Sequence, residues 1–327
     1  MYTAESVAVG HPDKICDQIA DALLDEYLTN DENARCAIEV AGGHGTIFIT
    51  GEVSSSHALS DDEVIAITQK VLSSCGDTGD TKVLPHIAQQ SPEIAQGVDT
   101  GGAGDQGVMV GYACDENEAM MPLEMYLARE LVQAMGERDG KAQVTLDDDK
   151  RVVSFITSVC GDYTPEIQHV IDTKIVPLLA KGVSLEGAWM KNPNGKWKVG
   201  GFHADAGLTG RKIVVDAYGP RVPVGGGAFS GKDATKVDRS AAYMARKIAT
   251  DYVKKGAHEA TVYLAYAIGQ PTPTTAVAIV DGRKEKVEGY DLRPQGIIEQ
   301  LDLRKPKFLN TARDGHFGQG NVWDIFE

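Results

Sequence analysis

One arrangement is legible three times along this chain: a helix, a strand hairpin and another helix, in units of roughly a hundred residues, an ordinary domain size. In the first unit Pro12 opens a helix carrying Ile15, Ile19, Leu23 and Tyr27 on one face. Strands at 34–41 and 46–53 bracket Gly42-Gly43-His44-Gly45, and Ser60 with Glu63 forms a capping box for the next helix. In the second, a strand at 108–113 leads to a helix at 122–135, a hairpin turns at Asp147-Asp148-Asp149, and Thr164-Pro165-Glu166 starts another helix. In the third, a long helix runs from Ala234 to Lys255 with Val237, Ala241, Ala245, Ile248 and Tyr252 on one face. Strands at 261–268 and 275–280 and a closing helix at 293–301 follow. The units share element order and little sequence, which predicts an α+β chain of three sheet-and-helix domains, at 1–91, 102–199 and 200–327.

Ahead of the long helix stands Gly225-Gly226-Gly227-Ala228-Phe229-Ser230-Gly231-Lys232-Asp233. Four glycines let backbone amides approach a ligand closely, and Lys232, Lys236 and Arg239 gather where a helix dipole already favours anions. A polyphosphate on that helix start is the expectation. The segment nearly matches a P-loop, but Asp233 stands where Ser or Thr would meet magnesium. A hydrophobic strand expected at 212–217 is also separated from the glycines by a long, proline-rich lead-in. A P-loop ATPase is the weaker alternative.

A formal net charge of −15 over 327 residues excludes nucleic acid or an anionic membrane as the main partner. Any polyphosphate is then held by locally focused cations and magnesium. Cys16, Cys36, Cys75, Cys114 and Cys160 are dispersed and never spaced as Cys-x-x-Cys, so neither a disulfide framework nor a zinc cage is indicated. With no targeting segment or membrane span in view, a cytoplasmic protein is expected.

Three further clusters carry chemistry. Gly10-His11-Pro12-Asp13-Lys14 puts an imidazole, an acid and a base within one turn of a helix start, where His11 as a cap and Asp13 as a first-turn acid are equally good readings. Gly102-Ala103-Gly104-Asp105-Gln106-Gly107 precedes a strand, and Asp205-Ala206-Gly207-Leu208-Thr209-Gly210-Arg211-Lys212 is again acidic, glycine-rich and basic.

In this order the four segments, continued by Lys236-Val237-Asp238-Arg239-Ser240, make the chain resemble S-adenosylmethionine synthetase over almost its whole length. The resemblance implies three domains related by pseudo-threefold symmetry and a homodimer with shared active sites as the minimum unit, and leaves open the choice between that dimer and a dimer of dimers. It implies ATP and L-methionine as substrates: the methionine sulfur attacks C5' of ATP, and the expelled tripolyphosphate is cut to pyrophosphate and phosphate. By the same resemblance His11 donates to the departing oxygen, and Lys141, Arg211, Lys212, Lys232 and Lys236 bind phosphate oxygens. Asp13 and Asp238 hold two Mg2+ ions and Glu39 a K+. Glu52, Gln90 and Asp205 hold methionine, with Lys236 beside them. Asp105, Asp139, Ala228, Lys196 and Trp197 belong to the ATP side.

The chain departs from the family in places. Gly195-Lys196-Trp197 replaces Gly-Arg-Phe, keeping charge but losing the planar fork of arginine. The gating loop at 92–101 is shorter than usual, which predicts a smaller or differently gated lid. Val224 and Ala234 replace a histidine and a proline, and a noncatalytic ATP-binding homologue is the remaining alternative.

Overall fold

The computed structural model describes residues 1–77, 81–90 and 102–324. They form three four-stranded sheets on one plan, each with helices packed against it. In the first, the hairpin β2 (Arg35–Gly43) and β3 (Thr46–Ser54) is flanked by β4 (Lys82–Gln89), parallel to β3, and by the short β9 (Gly207–Leu208). In the second, the hairpin β6 (Gly140–Leu146) and β7 (Val152–Val159) lies between β8 (Trp189–Lys191) and β1 (Tyr2–Val7). In the third, the hairpin β10 (Glu259–Tyr266) and β11 (Thr275–Val280) lies between β12 (Arg283–Lys286) and β5 (Gly107–Cys114). The three sheets thus repeat hairpin, outer strand and borrowed strand, the pseudo-threefold relation of an α+β chain.

The borrowed strands interlock the repeats. β1 from the N-terminus completes the central sheet, β5 completes the third sheet, and β9 completes the first. The strand expected at 108–113 therefore pairs with β10 rather than with its sequence neighbours. Helices cover one face of each sheet: α1 (Pro12–Asn30) and α2 (Asp61–Ser74) lie on the first, α3 (Leu123–Gln133) on the second with α4 (Pro165–Val170) packed against α3, and α5 (Val237–Lys254) on the third with α6 (Pro294–Gln300) packed against α5. A last helix, α7 (Phe308–Asp314), packs on α1. α2 starts on the capping box of Ser60 and Glu63. Contact between α5 and β5 requires glycine, because a Cβ on Gly111 would lie 2.0 Å from the Ala245 carbonyl carbon. One apolar core runs continuously under the first and third sheets, and a separate one fills the second.

Two local expectations fail for tertiary reasons. The strand expected at 212–217 is a helical turn at Ile213–Asp216. Its β-branched run imitates a strand, but Asp216 turns inward to the buried Lys14 Nζ at 2.8 Å, and Arg129 gathers the carbonyls of Val215 and Ala217. The long helix begins at Val237 rather than Ala234, because Asp233 ties the intervening residues into a turn by accepting from the Thr235 N–H at 2.8 Å. Among the described residues no helix is long and apolar enough to cross a membrane.

Candidate active site

Four aspartates at four-residue intervals on α1 position the loops around the site. Residues so spaced lie on one helix face. Asp13 accepts from the Leu208 N–H at 3.0 Å, Asp17 from Gly210 at 2.9 Å and Asp21 from Gly231 at 2.8 Å. Asp25 caps α7 through the N–H groups of Lys307, Phe308 and Leu309. The helix is a spine to which the later loops are pinned. Sequence reading passed over Asp17, Asp21 and Asp25; the signal was there, as acids repeating every fourth residue through a helix whose other faces are also buried.

A first cluster forms at the start of that spine. His11 caps α1, its Nδ1 accepting from the Asp13 N–H at 3.2 Å, so the proton of the neutral ring sits on Nε2. Burial, then the fields of Lys212 and Lys141, push the His11 pKa down to about 4 against the opposing pull of Asp13 and Asp205. Burial alone would raise the Asp13 carboxyl, but the Lys212 ammonium bonded to it and the Leu208 N–H hold it below the ordinary value. Arg211 Nε stands 3.6 Å from the same carboxylate. Asp139 accepts from the Gly201 N–H at 2.9 Å, and burial raises its pKa against that bond. Beside it opens a cleft of about 600 Å³ lined by Gly10, Ile15, Asp139, Cys160, Val199 and Gly200, large enough for a nucleoside. His11, Asp13, Asp139, Lys141, Asp205, Arg211 and Lys212 are therefore brought together.

The glycine loop forms a second cluster, and it is built differently from expectation. Gly231 carbonyl accepts from the Ile38 N–H of β2, the Asp233 N–H donates to the Cys36 carbonyl, and Asp233 Oδ2 accepts from the Cys36 N–H at 2.7 Å. With Gly231 N–H on Asp21 and Lys232 N–H on the Phe229 carbonyl, the amides of 231–233 are consumed by the protein and do not cradle an anion. Asp233, the misfit in the P-loop pattern, is the fastener of this loop to β2. Nor do the three cations at the helix start lack an anion: Lys232 Nζ lies 2.8 Å from Asp238 Oδ2, Lys236 pairs with Asp233, and Arg239 is buried on Asp21.

The loop carries its lysine onto the outer face of the first sheet. Lys232 bridges Ala37, which faces Glu52 on β3, which faces Ala88 on β4, and directly opposed residues point the same way. Glu39, two residues from Ala37, shares that face. Partial desolvation raises its carboxyl against the pull of Lys232 and a hydrogen bond from Thr209. Thr209 also connects the clusters, as does Ala228, whose Cβ would sit 2.6 Å from one placed on Gly210. Gln90, the residue after β4, has a buried Oε1 with no partner among the described residues. Asp105 lies in the turn before Gly107, whose backbone backs onto Asp238. Lys196 turns away to Asp162 on the surface, and Trp197 is half-buried, its carbonyl accepting from Gly161. The gating loop at 92–101 lies outside the described residues.

Among the described residues no three His, Cys, Asp or Glu side chains are grouped to hold a metal. Asp13 and Asp238 are single carboxylates, each facing a lysine. Such donors fit a Mg2+ that keeps water and phosphate oxygens as its other ligands, rather than an all-protein cage. Glu39 fits a K+ only as one oxygen ligand among others.

Family models of S-adenosylmethionine synthetase match nearly the whole chain: the N-terminal domain at 1–92, the central domain at 100–196 and the C-terminal domain at 199–325. Among solved structures, an unusual S-adenosylmethionine synthetase from Campylobacter jejuni is similar with a TM-score of 0.88 and 31% sequence identity, over 99% of this chain and 96% of that one.

Proposed function

The chain belongs to the S-adenosylmethionine synthetase family, and from that premise we propose that it joins L-methionine to ATP, with His11, Lys141 and Lys212 at the reacting centre. The reading rests on one observation above the others: a buried His11, neutral and fixed in its tautomer, set in the field of Lys141 and Lys212. A thioether sulfur has no proton to lose, so attack on C5' needs no general base. What it needs is a place for the charge that grows on the departing oxygen. His11 Nε2–H is the donor at that oxygen, and Lys141, Arg211 and Lys212 are cations already aimed at the region, a preorganised rather than a recruited stabilisation.

Lys232 and Lys236 take the triphosphate from the other cluster, as its phosphates compete with Asp238 and Asp233 for the ammonium groups. Asp13 and Asp238 would hold Mg2+, which neutralises charge on the bound triphosphate, and Glu39 a K+. The cleft at Asp139 takes the nucleoside, with Asp105, Ala228, Lys196 and Trp197 as further ATP contacts. Glu52, Gln90 and Asp205 hold methionine; the buried Gln90 Oε1, without a partner among the described residues, is an acceptor awaiting a donor. Hydrolysis of the tripolyphosphate follows on the same cations.

A homodimer with shared sites is supported by the outer face of the first sheet. Leu208, Ala41, Phe48 and Leu84 make one apolar row across all four strands, and Leu208, Phe48 and Leu84 are exposed in the single chain. Incubation with ATP, methionine, Mg2+ and K+ should yield S-adenosylmethionine with pyrophosphate and phosphate. Phosphate release independent of methionine, with no S-adenosylmethionine formed, would overturn the proposal.

A further inference from the structure

We propose that Asp21 and Arg239 are positioning residues for Lys232, and that the segment from α7 to Trp323 belongs to the machinery that sets that lysine. The inference rests on Lys232 contacting the triphosphate, as read above. Asp21 and Arg239 are both fully buried and joined by two hydrogen bonds of 2.7 Å. Between them they hold both ends of the Gly231-Lys232 unit: the Gly231 N–H donates to Asp21 Oδ1 at 2.8 Å, and Arg239 Nη1 donates to the Lys232 carbonyl at 2.9 Å.

The remaining donors of Arg239 are anchored in the C-terminal segment. Nη2 reaches Thr311 Oγ1 of α7 at 3.2 Å, and Nε reaches the Tyr243 hydroxyl at 3.0 Å, which meets His316 Nδ1 at 2.8 Å. Trp323 stacks on the Tyr243 ring at 3.8 Å and donates from Nε1 to the His316 carbonyl at 2.6 Å. The other end of the glycine loop is gripped by the same segment, since the Phe229 ring lies 4.7 Å from that of His316 and 5.8 Å from that of Phe317. A guanidinium whose fork is satisfied on every side has one orientation, and here that orientation is handed to the backbone of Lys232. Loosening it displaces the ammonium group without changing any charge on the outer face.

A plain buried ion pair would also stabilise the fold, so the test must separate position from stability. The probe is inorganic tripolyphosphate with Mg2+, titrated calorimetrically into the full chain, with product formation from ATP and methionine followed in parallel. Tyr243→Phe removes the hydroxyl that orients Arg239 and leaves the ring against Trp323; Arg239→Lys keeps a charge facing Asp21 and loses the bond to the Lys232 carbonyl. Tripolyphosphate affinity should fall by about threefold to tenfold in Tyr243→Phe, as expected for one misdirected hydrogen bond, and further in Arg239→Lys. Both losses should disappear in a Lys232→Met background, because an absent lysine cannot be mispositioned. Losses that persist undiminished in that background, or unchanged affinity in Tyr243→Phe, would overturn the inference. If Arg239→Lys does not fold, the Tyr243→Phe cycle decides alone. A wild-type chain that binds tripolyphosphate but forms no S-adenosylmethionine refutes the functional reading while the cycle still reports on positioning, and one that binds none refutes both.

Discussion

Replacing Gly231 with alanine tests whether the glycine loop is fastened to the protein or open to a ligand. Gly231 has φ +79°, and a Cβ there would lie 1.9 Å from the Ile38 carbonyl oxygen, which is backbone and cannot swing aside. The left-handed conformation costs an L-residue about 1–2 kcal/mol. Forcing the strand and loop apart loses the Ile38 N–H to Gly231 hydrogen bond, about 1 kcal/mol, and the Gly231 N–H on a buried carboxylate, about 1.5–3 kcal/mol. The total is on the order of 4 kcal/mol, a large part of a domain's usual margin of about 5–15 kcal/mol. Gly226 is the internal control: a Cβ there meets nothing within 4 Å, and its φ is not positive. Gly226→Ala should leave thermal unfolding within about 0.5 kcal/mol of wild type, while the KM for ATP rises if its open side faces the triphosphate. Scanning calorimetry and ATP titration on both variants report the two effects separately. A Gly231→Ala protein within 1 kcal/mol of wild type would refute the fastened loop, and an unchanged KM in Gly226→Ala would refute the ligand-facing side.

His11→Asn should change how stability depends on pH. The folded pKa of His11, about 4, lies below the unfolded value near 6.5, so as pH falls through that window the unfolded chain takes up a proton that the folded chain refuses. That destabilises the wild type by up to about 3 kcal/mol between pH 7 and 4, and the asparagine variant lacks the effect, so urea unfolding of the pair should converge in acid. A constant difference across that range would mean that His11 is not desolvated. Asp233→Thr restores the P-loop consensus but removes the acceptor of the Cys36 and Thr235 N–H groups and the partner of Lys236; about 2 kcal/mol of stability should be lost and no methionine-independent ATPase gained, with ATPase activity counting against the fastener role. Phe48→Asp, placed in the exposed apolar row, should leave a folded monomer in sedimentation and abolish product formation if the second copy covers that face, whereas an active monomer would show that one chain suffices.

Much of the fold is legible locally, because amphipathic periods and caps act over a few residues. Ile15, Ile19 and Leu23 repeat at helix spacing and are buried in α1, and the capping box at Ser60 forms where the sequence places it. Periodicity cannot say which sheet a strand joins. β1, β5 and β9 each complete a sheet whose hairpin is distant in sequence, and nothing local to Val108 distinguishes pairing with β10 from pairing with its own neighbours. The run Ile213-Val214-Val215 misleads for the same reason: its β propensity is real, and the buried partners of Asp216 outweigh it.

The candidate site divides along the same line. Sequence alone determined that cations, acids and glycines cluster at helix starts and strand ends, because that depends only on spacing and residue type. Tertiary structure alone decided their partners: Asp233 holds β2, Arg239 holds Asp21 beneath the loop, and His11 stays neutral because burial and two lysines distant in sequence act on one ring. Charge pairing and desolvation depend on distance in space, and in this chain those distances are set by strands exchanged between repeats and by four aspartates on one helix.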